Sequence, residues 1–140
     1  LALAGRLGAQ VLVEAGPGAL EEILQVTGGA HVALDAVGSA DTAALGILSL
    51  RRQGRHVQVG LVTEDPPLPL SRVIGWELSI LGSHGMAAVD YPALFALIDQ
   101  GLDPALLVTR VVGRQEAARL MQEPSGALGP GIVVLDPGQG

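Results

Sequence analysis

The sequence predicts an α/β fold in which short apolar strands alternate with helices and assemble into a parallel sheet. Three observations carry that expectation. Residues 30–61 read apolar run, small-residue turn, helix, apolar run: HVALDAVGS, ADTAALGILSLRRQG and RHVQVGL. Val32, Leu34, Ala36 and Val37 form a nearly continuous apolar stretch, as in a strand covered on both faces. Further apolar runs at 78–81, 106–112 and 132–135 keep alternating with helical periodicity.

Each element has its own local signal. Residues 1–9 read as the last turns of a helix, with Leu1, Leu3, Ala4 and Leu7 on one side and Gly8 as the stop. Leu1 is not an initiator methionine, so a processed, excised or incomplete chain is expected. Residues 11–13 read as a short strand and Gly16-Pro17-Gly18 as a turn. Residues 19–27 predict a helix with Leu20, Ile23 and Leu24 on one face. Glu21 and Glu22 suit its positive first turn, and Gly28 and Gly29 end it. In the central unit Gly38 and Ser39 break the first strand, and Asp41 or Ser39 caps the helix that follows. Arg51 and Arg52 are expected in that helix's last turn, with Gly54 as the stop. Val57, Val59 and Leu61 predict the second strand, ended by Gly60 and the Pro66-Pro67 turn. Together these make a right-handed parallel βαβ unit.

Pro66, Pro67 and Pro69 then exclude a central strand. Residues 73–77 read as a short helix or an edge strand, and 78–81 as a strand running into Gly82-Ser83-His84-Gly85. Residues 91–100 predict a helix with Leu94, Leu97 and Ile98 inward, stopped by Gly101. A strand at 106–112, a helix at 115–122 and a terminal strand at 132–135 complete the chain. There is no repeat or low-complexity segment.

Composition narrows the function classes. The net charge of −6 provides no basic stripe to neutralise phosphates, so nucleic acid is not an expected partner. Without cysteine, the chain has no disulfide, thiolate chemistry or cysteine-based zinc site; without lysine, it has no Schiff-base chemistry. No apolar stretch reaches the roughly 18 residues of a membrane span, and no signal-peptide pattern opens the sequence, so a cytoplasmic protein is the default expectation. With 20 glycines and 9 prolines in 140 residues, Gly and Pro stay below the level that marks disorder.

Several constellations invite chemistry and are weakened by their neighbours. Gly16-Pro17-Gly18 after an apolar run resembles the start of a dinucleotide fingerprint, with Asp35 as the acidic residue ending the next strand. The third glycine position holds Glu21, however, Glu22 adds a second carboxylate, and Pro17 lacks the N–H that a phosphate cradle uses. A plain turn is the better reading. His31 and His56 each open a strand whereas His84 follows one, which places them on opposite rims and argues against a three-histidine zinc site. Asp35 is expected to be a buried carboxylate satisfied by nearby N–H or hydroxyl groups such as Thr42. Ser39, Ser71, Ser83 and Ser125 lack the nucleophile-elbow context. Arg110, Arg114 and Arg119 are spaced as a solvated face.

The strand ends remain as the candidate site. Ala36, Val37 and Gly38, then Val59, Gly60 and Leu61, then Leu81, Gly82 and Ser83, put small or apolar residues where parallel strands stop. Ligands gather at such carboxyl ends, where a flat ring and a ribose can lie against backbone.

TGGAHVALDAVGS, SLRRQGRHVQVGL, ELSILGSHGM and YPALFALIDQGLDPALLVTRVV resemble the medium-chain dehydrogenase/reductase family, most of all its zinc-dependent alcohol dehydrogenases. The likeness runs over about residues 1–137. It implies an incomplete Rossmann-like parallel sheet with flanking helices and a C-terminal return segment. Residues 1–88 would be the carboxyl-terminal part of the dinucleotide-binding domain, and residues 89–140 would pack back on a separate catalytic domain. It implies that Ala36, Val37 and Gly38 lie near the adenosine half of NAD(P), and that Val59 to Leu61 and Leu81 to Ser83 flank the nicotinamide. In related proteins the edge near Leu78 to Leu81 helps form a dimer, which implies a homo-oligomer.

Departures from the pattern bear on function. The family's catalytic domain with its Cys and His zinc ligands has no counterpart here, nor do the first two strands of the nucleotide domain with their glycine fingerprint and ribose carboxylate. In the family's sheet order those strands lie between residues 11–13 and the strand at Val32, so a central gap is expected. GALGPGIVVL, near the last strand, contains no basic residue to face a pyrophosphate. The resemblance thus implies part of an oxidoreductase that passes hydride between a small alcohol or aldehyde and NAD(P). No catalytic residue or zinc ligand is expected in this chain, which alone is expected to be inactive. The alternatives are a non-enzymatic Rossmann-like oligomerisation module and a zinc-free reductase of the same family.

Overall fold

The structure, a computed structural model, describes residues 1–123 and 128–139. Ser125 lies outside the described residues, as does the first half of the GALG stretch. The chain divides into two compact units, one of Val13–Gly85 and the other of Leu1–Leu12 with Met86–Gly140.

The first unit is built on three parallel strands in the order β1-β2-β3: β1 Ala30–Asp35, β2 Leu50–Gln58 and β3 Ser79–Gly82. Helix α2 (Ala19–Thr27) precedes β1, α3 (Ala40–Leu48) joins β1 to β2, and α4 (Leu70–Trp76) joins β2 to β3. Gly18 and Gly28, both left-handed, bound α2 at the expected residues. Ser39 caps α3 in a reciprocal box with Thr42, its Oγ accepting from the Thr42 N–H at 3.1 Å while its own N–H donates to Thr42 Oγ1 at 3.2 Å. The core is small: Ile47, Leu50 and Leu78 are buried together, with Ala30, Ala33, Val73 and Trp76 packed around them.

Four sequence expectations are corrected here. Residues 11–13 form no strand, because the apolar triplet finds no ladder partner and Val11 stays exposed; β1 is therefore the edge of a continuous sheet, with no central gap. Arg51 and Arg52 are not in α3, and Gly54 is not its stop. The helix ends at Leu48, Leu50 pairs with Ala30, and the register then jumps so that Val32 pairs with Arg55. The intervening RRQG is a bulge inside β2, with Gln53 at φ 59°. The cation at the end of α3 is instead Arg72, whose Nη2 donates to the carbonyls of Leu48 and Leu50 at 3.2 and 3.3 Å. Third, β1 is covered on one face only, since Val32 and Leu34 are exposed. Fourth, β2 ends at Gln58, so Val59 and Leu61 belong to the loop beyond it. Residues 70–76 resolve the helix-or-strand ambiguity as helix α4.

The other unit contains α1 (Ala2–Arg6), α5 (Tyr91–Asp99), α6 (Arg114–Leu120) and a parallel pair, β4 (Val108–Val112) and β5 (Ile132–Leu135). A 3-10 turn at Pro104–Leu107 replaces the first residues expected in the strand before β4. Of the three α5 residues expected inward, Leu94 is half-buried while Leu97 and Ile98 are exposed; the described residues leave that apolar face uncovered. Arg110, Arg114 and Arg119 are all exposed, as expected of solvated residues; Arg110 lies in β4, 3.8 Å from Glu116 of α6.

Candidate functional site

The carboxyl ends of β1, β2 and β3 meet on one rim, as parallel pairing demands: residues 36–38 and 59–61 lie in the loops after β1 and β2, Leu81 and Gly82 are the last residues of β3, and Ser83 follows it. Asp35 organises the two loops. Its Oδ1 accepts from the Val37 and Gly38 N–H groups at 2.8 and 3.0 Å. Its Oδ2 accepts from Thr42 Oγ1 and Gln58 Nε2, both at 3.0 Å. Its main-chain carbonyl accepts from the Val59 and Gly60 N–H groups at 2.9 and 2.8 Å. Asp35 is 5% exposed, and its carboxylate lone pairs are all engaged, as the sequence suggested for a structural carboxylate. Burial pushes its pKa upward, but the bonds from Gly38, Gln58, Val37 and Thr42 outweigh that and hold it below the ordinary aspartate value.

The two loops touch backbone to backbone. A Cβ on Gly60 would lie 2.6 Å from the Val37 carbonyl carbon, and one on Gly38 would lie 2.8 Å from the Gly60 carbonyl carbon. Gly38 also sits at φ 82°. Gln58 closes the arrangement by donating Nε2 to the Gly60 carbonyl at 2.9 Å, and its own carbonyl accepts from the Ser83 N–H at 2.9 Å. The amides of Val37, Gly38, Val59, Gly60 and Ser83 are thus already used within the fold. The surface offered outward is apolar: Val37 is 73% and Leu61 75% exposed, with Val59 and Leu81 also open.

Phosphate is poorly served nearby. The cleft beside Gly38, about 360 Å³, is lined by Ser39, Ala40 and residues 62–67, including Glu64 and Asp65. A larger groove of about 660 Å³ runs past Gly16, Pro17, Gly18 and Glu21 to Ser39 and Asp41. Its carboxylates oppose an anion, and Gly16-Pro17-Gly18 behaves as a turn with Gly18 at the left-handed cap of α2. Zinc does not fit: among the described residues no three His, Cys, Asp or Glu side chains converge.

His56 departs from its expected place. It does not open its strand but lies within β2, opposite Ala33 of β1 and Ile80 of β3, and is 1% exposed. Gly46 of α3 leaves the room for its ring, since a Cβ there would fall 2.8 Å from both Cε1 and Nδ1. A glycine inside a helix was the available signal, because such a residue marks close packing. No helix among the described residues is long and apolar enough to cross a membrane.

Comparison with known proteins agrees with this architecture. The family described as zinc-binding dehydrogenase matches residues 1–100. A probable D-xylulose reductase A of Aspergillus niger is 32% identical over 96 residues, which is 68% of this chain and 27% of that protein. The alcohol dehydrogenase of Aeropyrum pernix superposes with a TM-score of 0.72 at 31% identity, covering 86% of this chain and 35% of that one. An NAD-dependent alcohol dehydrogenase gives a TM-score of 0.80 at 28% identity, covering 99% and 41%. The chain thus spans about a quarter to two-fifths of the proteins it is compared with.

Proposed function

Because the chain belongs to the zinc-binding dehydrogenase family, we propose that it is the carboxyl-terminal part of an NAD(P)-dependent oxidoreductase acting on an alcohol or polyol. The observation that carries this reading is the rim itself: three parallel strand ends with exposed Val37, Leu61 and Leu81, and two loops held at backbone contact by Asp35. Ala36, Val37 and Gly38 would flank the adenosine half of the dinucleotide; Val59, Gly60, Leu61, Leu81, Gly82 and Ser83 would form an apolar wall for the nicotinamide. When bound, the dinucleotide supplies hydride acceptance or donation. This chain's residues orient it through apolar contact and main-chain carbonyls and shield it from water. Among the described residues they supply no phosphate cradle and no group of zinc ligands; on this reading hydride transfer needs a catalytic domain outside these residues, on which residues 89–140 would pack. A cytoplasmic, homo-oligomeric enzyme completes the proposal.

A second reading rests on β1 lying at the edge of the three-stranded sheet among the described residues: an oligomerisation module that pairs through that edge. Thermal shift and light scattering on the purified chain discriminate the two. A rise in midpoint with NAD or NADP supports the oxidoreductase part. A nucleotide-independent oligomer with no such rise supports the module. Alcohol oxidation by this chain alone would contradict the assignment of catalysis elsewhere.

A further inference from the structure

His56 has no part in the rim's surface, yet it touches the residue that ties the rim together. Its Nε2 lies 3.1 Å from Gln58 Oε1. The Gln58 amide is fixed in orientation, because its Nε2 donates to both Asp35 Oδ2 and the Gly60 carbonyl. Oε1 is therefore the atom facing His56, and it can only accept. His56 Nε2 must carry the proton. The other ring nitrogen, Nδ1, is buried against Gly46 with no hydrogen-bond partner among the described residues. A proton there would be a buried, unpaired donor, so the same tautomer is selected twice, once from each side of the ring.

The converse also holds. If the proton moved to Nδ1, the bare Nε2 would draw the Gln58 amide round to present Nε2, and Gln58 Oε1 would then face the Asp35 carboxylate and the Gly60 carbonyl. Three acceptors would converge where two good bonds now stand. We propose that His56 is a positioning residue: as the Nε2–H tautomer it locks the Gln58 amide, and through Gln58 it sets the spacing of the loops at Ala36–Gly38 and Val59–Leu61. The significance for cofactor binding rests on the reading of those loops as the NAD(P) wall. Gly46 is part of the same device, because it admits the ring and offers Nδ1 no acceptor.

The test uses the full 140-residue chain labelled with ¹⁵N. Long-range ¹H–¹⁵N spectra near neutral pH should show His56 with a protonated Nε2 and a bare Nδ1. This needs no variant, and a proton on Nδ1 overturns the proposal. His56→Leu removes the donor and should speed exchange of the Val37, Gly38, Val59 and Gly60 amides about fivefold, the worth of one ordinary hydrogen bond. His56→Gln, which keeps a side-chain donor, should restore the wild-type rates. Unchanged exchange in a folded His56→Leu chain overturns the lock. Adding NAD or NADP to the wild-type chain is a separate arm: nucleotides that leave the loops unmoved sink the cofactor wall, while the tautomer and exchange results still decide the lock.

Discussion

Replacing Gly60 by alanine probes the point where the two rim loops touch. The new Cβ would press on the Gly38 amide nitrogen and sit 2.6 Å from the Val37 carbonyl carbon, against an ordinary contact of at least 3.4 Å, so the loops must separate by at least about 0.8 Å. Both obstructing groups are backbone, which cannot rotate away. The same separation would stretch the bonds from the Val59 and Gly60 amides to the Asp35 carbonyl, now 2.9 and 2.8 Å, past useful range. Two hydrogen bonds at about 1 kcal/mol each, with residual crowding, put the cost at about 2–3 kcal/mol. The chain's single tryptophan, Trp76, lies in the same compact unit and reports its unfolding. At a urea slope of about 1 kcal/mol per molar, the midpoint should fall by about 2–3 M, or to an unfolded chain if the unit is less stable than that. Gly82→Ala is the control, since its Cβ would meet nothing within 4 Å, and it should stay within about 0.5 kcal/mol. Gly60→Ala behaving like Gly82→Ala would refute the close backbone crossing.

Three further outcomes follow from the same geometry. Asp35→Asn replaces an acceptor-only group that receives four donors by one that must present an NH₂ to some of them, and should cost about 2–3 kcal/mol by urea unfolding. Because the folded-state pKa of Asp35 is lowered, its stabilisation is present above the unfolded value of about 3.9 and is lost as pH falls through the folded value; the gap between wild type and Asp35→Asn should be constant near neutrality and close only below about pH 4. Arg72→Ala removes both the cation at the end of α3 and a guanidinium 3.0 Å from the Trp76 ring centroid, which should cost about 1–3 kcal/mol and shift Trp76 emission in the folded state. Gly75→Ala fills open space within α4 and should stabilise by up to about 1 kcal/mol, read as a higher thermal midpoint.

Much of this molecule was legible in its sequence where local signals agreed. Gly18 and Gly28 bracket α2 at both ends, and the apolar run at 132–135 is β5 residue for residue. Asp35 as a satisfied carboxylate was also readable, because Thr42 lies one helical turn past the cap and the small residues after the strand free their amides to turn back. What failed needed tertiary information. SLRRQGR reads as a helix end and a loop, yet Leu50 is wholly buried opposite β1 and draws the strand start ahead of the charges, so RRQG is expelled as a bulge. The apolar triplet at 11–13 has strand composition without a partner. His56 reads as a strand opener only because the bulge hides where β2 begins, and its role depends on Gly46, ten residues away.

Backbone chemical-shift mapping with NAD and NADP tests the nucleotide-wall reading most directly. With the ¹⁵N-labelled chain at saturating nucleotide, the account predicts perturbations concentrated at Ala36, Val37, Gly38, Val59, Gly60, Leu61, Leu81, Gly82 and Ser83. Perturbations confined to the groove beside Gly16–Glu21, or none on the rim, would contradict it.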